Sequence, residues 1–66
     1  MQTYSCFIRD RRYTVPTLRL IDASDDEAAR RQALRELAAS REHLGIELHA
    51  HVRWKHLLIL SRVGAL

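Results

Sequence analysis

Sixty-six residues suffice for one small domain, and a core of that size leaves only about 3–5 kcal/mol of net stability unless something else ties the chain together. The single cysteine, Cys6, excludes an internal disulfide and suits a reducing compartment. Net charge is +3, ten of the eleven basic residues are arginine, and the longest apolar run, Leu57 to Leu60, is far short of the ~20 residues a membrane span needs.

Residues 2–9 (QTYSCFIR) are rich in β-branched and aromatic types and read as a strand. The start of the chain has no basic segment ahead of an apolar one, so it does not read as a secretory signal. Asp10-Arg11-Arg12 is a polar break, and residues 13–21 (YTVPTLRLI) read as a second strand. A three-residue loop sets Ile8 opposite Thr14, Cys6 opposite Pro16 and Tyr4 opposite Leu18. That register gathers Tyr4, Cys6, Ile8, Leu18 and Leu20 on one face and leaves Phe7, Tyr13, Val15 and Ile21 on the other. Pro16 cannot donate to a ladder, which places the second strand at an edge or a bulge.

A helix is expected over about residues 25–43. Ser24 is placed as its N-cap, with Glu27 completing a capping box. Asp26/Arg30 and Glu27/Arg31 are i,i+4 pairs in the favourable order, and Gly45 is placed to close the helix in a left-handed conformation. Ala29, Ala33, Leu34, Leu37, Ala38 and Leu44 form an apolar stripe wide enough to lie on a sheet.

Residues 46–52 (IELHAHV) alternate as a half-buried strand does, with Glu47, His49 and His51 on the polar face. Residues 53–56 (RWKH) read as a turn, and residues 57–63 (LLILSRV) as a last strand.

The pattern specifies a single α+β domain over residues 1–66: ββαββ, one helix packed on a four-stranded, mostly antiparallel sheet. The abrupt step from helix to third strand favours the order 2-1-3-4. A β-grasp-like order, 2-1-4-3, is the alternative, because an apolar run such as Leu57–Leu60 suits a central strand. In the preferred order that run lies on an edge, which a second copy would cover.

The passage Ala23-Ser24-Asp25-Asp26-Glu27-Ala28, with Ala33 and Leu34 beyond it, follows a Tyr-containing strand (Tyr4-Ser5-Cys6-Phe7) and precedes a short apolar hairpin. This layout resembles small uncharacterised bacterial ββαβ-type domains over most of the chain. The resemblance implies the fold and no activity. The last hairpin departs from it, carrying the His/Trp/Lys sequence 49–56 in place of a Gly-containing turn.

Chemistry is sparse. Glu47-x-His49-x-His51 puts two imidazoles on one strand face at a spacing that suits a metal ion, but no third ligand is fixed by spacing, and a solvated polar face explains the same residues. Cys6 alternates with Tyr4 and Ile8 as a small core residue does. No nucleophile motif, carboxylate pair or Gly-rich phosphate loop is present, so neither an enzyme nor a cofactor is expected. Arg11 and Arg12 in the first turn, and Arg53, Trp54 and Lys55 in the second, form a basic set with an aromatic that suits nucleic acid. The two turns fall at opposite ends of the sheet, however, which divides that set. The preferred expectation is a cytoplasmic, self-associating interaction module with an unknown protein partner. Its contact residues would be Phe7, Tyr13 and Val15 on the uncovered sheet face, with Leu58 and Leu60 on the last strand.

Overall fold

The computed structural model describes residues 1–51 and 57–64. Its elements are β1 (Gln2–Asp10), β2 (Thr17–Ala23), α1 (Asp26–Ala38), β3 (His43–His51) and β4 (Leu57–Gly64). The four strands form one antiparallel sheet in the order β2-β1-β3-β4. The expected α+β architecture and the preferred strand order are both present, and β4 is an edge strand. The helix lies over β3, β2 and β1, returning the chain from the β2 edge so that β3 enters beside β1.

The helix starts one residue later than expected. Asp25, in an extended conformation, accepts from the Ala28 backbone N–H at 2.8 Å, so Asp25 rather than Ser24 is the cap. It also ends earlier, at Ala38. The Ser40 side chain accepts from the Glu42 N–H and the Ser40 carbonyl from the His43 N–H, which turns the chain straight into β3. Gly45 therefore lies inside a strand and closes no helix. The anticipated i,i+4 pairs are replaced by Arg30–Glu27 at 3.3 Å, while Asp26 accepts from the Tyr4 hydroxyl at 2.7 Å. That bond ties the first turn of the helix to the centre of the sheet. Leu34 and Ala38, expected in the buried stripe, are exposed.

The larger correction is in the first hairpin. Its loop holds six residues, 11–16, and the pairs are Ile8↔Thr17, Cys6↔Arg19 and Tyr4↔Ile21. The loop is drawn out because Asp10 anchors it. Its carboxylate accepts from the Arg12 backbone N–H and takes the Arg12 guanidinium bidentately at 2.7–2.9 Å, while the Arg11 N–H donates to the Glu42 carbonyl. The register moves by three, an odd number, and so exchanges the two faces of β2. Ile21 and Ala23 turn inward, and Leu18 and Leu20 turn outward.

The core on the helix side is Tyr4, Cys6, Ile8, Ile21, Ala23, Ala29, Ala33, Ile46 and Leu48. A bulge in β4 places one extra residue between the Leu48↔Ser61 and His49↔Ile59 pairs. The extra residue is Leu60, which packs half-buried against this core. Leu60 thus supports the fold from the helix side of the sheet.

Gly64 ends β4 with φ +81°, opposite Gly45. A methyl group added there would lie 2.5 Å from the Leu44 carbonyl oxygen and 2.8 Å from the Gly45 Cα. Gly64→Ala should therefore cost about 1–3 kcal/mol, read as a lower midpoint in chemical denaturation. An unchanged midpoint would mean that the end of β4 does not hold this approach.

Candidate interaction surface

One helix covers one face of a sheet, so the other face is open. Two rows cross it at successive levels. The first is Leu20, Ser5, His49 and Ile59; the second is Leu18, Phe7, Glu47 and Arg62. The ends of the first row and the β2 end of the second are apolar and exposed: Leu18 54%, Leu20 62% and Ile59 51%. The middle, Ser5, His49, Phe7 and Glu47, is largely shielded and polar but for Phe7. His49 Nε2–H donates to Glu47 Oε1 at 2.7 Å, and the Arg62 guanidinium pairs with the other carboxylate oxygen. Those hydrogen bonds hold the Glu47 carboxyl below its ordinary range, the His49 bond contributing most. Phe7 meets the His49 ring edge-on, with centroids 4.9 Å apart. Arg9, Pro16 and these side chains line an open depression of about 670 Å³.

Of the expected contact residues, Phe7 is on this face, half-buried. Tyr13 and Val15 are exposed but belong to the 11–16 loop. They line a second depression beside Asp10, Arg19, Glu36 and His43, on the helix side. Leu58 pairs with Ala50, and its side chain lies outside the described residues. Leu18, Leu20 and Ile59 are the large apolar side chains exposed on this face among the described residues, and the sequence did not single them out. For the two leucines the cause is the register. β2 has apolar residues at both parities, so the pattern alone did not say which set faces out.

Glu47, His49 and His51 do share the open face, but the two imidazoles turn to different partners. His49 turns along its own strand to Glu47, while His51 Nε2 lies 2.8 Å from the Ser5 hydroxyl on β1. Among the described residues no three His, Cys, Asp or Glu side chains converge on a point that would hold a metal ion. His49 Nδ1 is buried with no hydrogen-bond partner among them. Cys6 is fully buried, and burial pushes its thiol up to about 11, far from the thiolate that a nucleophile requires.

The basic set divides as well. Arg11 pairs with Glu42 at 3.3 Å and Arg12 with Asp10; Arg53, Trp54 and Lys55 lie outside the described residues. Asp10 itself is 2% exposed, and its hydrogen bonds from Arg12 lower its pKa from 3.8 to about 2. Between those values the unfolded chain binds a proton that the folded chain does not. This carboxylate therefore adds stability above about pH 4, and that contribution is lost as pH falls through about 2. In acid titrations followed by circular dichroism, Asp10→Asn should melt about 5–10 °C below the parent at pH 7. The gap should close toward pH 2; a gap independent of pH would mean that the charge on Asp10 is not what stabilises the loop.

No helix among the described residues is long and apolar enough to cross a membrane. In comparisons with known proteins, the chain matches no family model, no curated protein and no solved structure.

Proposed function

We propose that this chain is a non-enzymatic, cytoplasmic interaction module that self-associates through its open sheet face and acts as an accessory to another protein. The observation that carries this reading is the set Leu18, Leu20 and Ile59, each more than half exposed, flanking the half-buried Phe7 on a face that no element covers among the described residues. A domain this small gains from a second copy the burial that its own core cannot supply. The nucleic-acid alternative has weaker support, since Arg11 and Arg12 are already paired with carboxylates of the same chain. Light scattering at low and high salt tests the proposal. The expected mass is twice 7.7 kDa and insensitive to salt, because the contact is mainly apolar. A monomer at about 100 μM, where a contact of micromolar affinity would be largely occupied, would overturn it.

A further inference from the structure

The helix presents a second surface, on the side of the sheet away from the open face. With about 3.6 residues per turn, Arg31 falls diametrically opposite the buried seam of Ala29 and Ala33, and Arg35 follows one turn on, about 6 Å along the axis. Both are exposed, as is Arg41 in the turn that leads into β3. Their partners set these three apart from the other arginines. Arg11, Arg12, Arg19, Arg30 and Arg62 each pair with a carboxylate, and Arg9 donates to the Thr14 carbonyl. Among the described residues, no carboxylate pairs with Arg31, Arg35 or Arg41.

The acids of the helix are engaged elsewhere. Asp26 accepts from Tyr4, Glu27 turns to Arg30 rather than to Arg31, and Glu36 turns to Arg19 on the sheet. The outer face is therefore left with positive charge that nothing cancels at short range, on a chain whose isoelectric point is about 9.8. The helix dipole accounts for a cation at Arg35, in the last turn, but not for Arg31 in the middle. We infer that Arg31, Arg35 and Arg41 form a docking surface for the phosphate backbone of double-stranded nucleic acid, held without base recognition.

The residue types select this occupant. All three cations are arginine, whose planar fork meets phosphate oxygens with two parallel hydrogen bonds. A helix is stiff, so two arginines one turn apart reach along one backbone strand together. Single strands are gripped by aromatic rings on which bases stack. The exposed neighbours of the arginines on the helix are instead Leu34 and Ala38. Helices that lie in a membrane surface bury a broad apolar face. Here the apolar seam of Ala29 and Ala33 is already spent against the sheet. Arg11 and Arg12, paired within the chain, take no part. Because the helix and the open face are on opposite sides of the sheet, the inference stands for a monomer and for a dimer formed through the open face alike.

Fluorescence anisotropy of a labelled duplex of about 20 base pairs tests it. Three phosphate contacts should give a slope of about −2.7 in log Kobs against log salt, so binding weakens about 40-fold between about 50 and about 200 mM salt. Arg31→Gln with Arg35→Gln should bind at least about tenfold more weakly at the lower salt, with a slope of about −0.9 and an unchanged circular dichroism spectrum. Arg19→Gln with Arg62→Gln is the control. It removes the same charge from exposed surface pairs, which contribute little to the fold, and should bind within about threefold of the parent. Equal losses in the two variants would assign binding to overall charge and overturn the surface. So would an anisotropy that does not change when the parent is added at the lower salt. A single strand of the same length bound as tightly as the duplex would overturn the choice of a double-stranded backbone. Vesicles of equimolar phosphatidylserine and phosphatidylcholine, or poly-glutamate, held through Arg31 and Arg35 while the duplex is not, would overturn the inference in favour of a lipid headgroup or an acidic polypeptide.

Discussion

Ile46→Ala should leave most of the chain unfolded at 25 °C. Ile46 is completely buried on a central strand, between Ile8 on β1 and Val63 on β4, beneath the helix that contributes Ala29 and Ala33. The alanines above it are small, so no long side chain can swing into the space left behind. Truncations of this kind cost about 2–5 kcal/mol, with the higher values where the site cannot collapse. A domain of this length has about 3–5 kcal/mol in total, so a cost at the upper end of that range uses up all of it. The check is a thermal melt by circular dichroism, with Ile59→Ala as the comparison. Ile59 is half exposed, and its loss should cost the isolated fold less than about 1 kcal/mol. Equal melts for the two variants would mean that the sheet faces have been assigned the wrong way round.

Leu20→Asp should convert the dimer to monomer while leaving the fold intact. Leu20 is 62% exposed in the monomer, so a carboxylate there meets water and disturbs nothing beneath it. In a dimer formed through the open face the same position is covered twice, once in each copy. Losing two leucine burials of about 1.5 kcal/mol each, and desolvating two carboxylates besides, should weaken association by at least about 100-fold. Light scattering should report 7.7 kDa with an unchanged circular dichroism spectrum. A dimer that survives Leu20→Asp would show that the open face is not the contact.

The elements and their order were legible because they rest on robust local signals. The alternation of Ile46, Glu47, Leu48 and His49 fixed β3 and its two faces, and the acidic start at Asp25–Glu27 fixed the entry to the helix. The first hairpin was not legible, because its register depends on the buried Asp10–Arg12 pair, a contact that hydrophobic pattern does not encode. Thr14-Val15 has strand character in isolation, yet it lies in the loop because the anchored turn cannot bring it into the ladder. The polar half of the candidate surface, Glu47 with His49, could be read from alternation. Its apolar half, Leu18 and Leu20, could not, because a wrong odd shift turns outward-facing leucines into apparent core. The β4 bulge acted the same way on Leu60, since an inserted residue breaks the period of two on which face assignment depends.

The strand order also has a consequence for how the chain is made. The two hairpins are local, but the pairing of β1 with β3 joins residues as distant as Ser5 and His51, 46 positions apart. During synthesis, β1, β2 and the helix emerge first, and until β3 follows they amount to a two-stranded ribbon with one helix. Such a ribbon is marginal by itself in water. The core that would hold it includes Ile46 and Leu48, which come from the last third of the chain. Closure over that separation places folding on the slower side for a small domain, in the range of milliseconds to seconds. Translation at about 5–20 residues per second delivers β3 on a similar or longer timescale. The nascent chain therefore waits with the inner edge of β1 unpaired, and the whole domain locks together only as its final strands arrive.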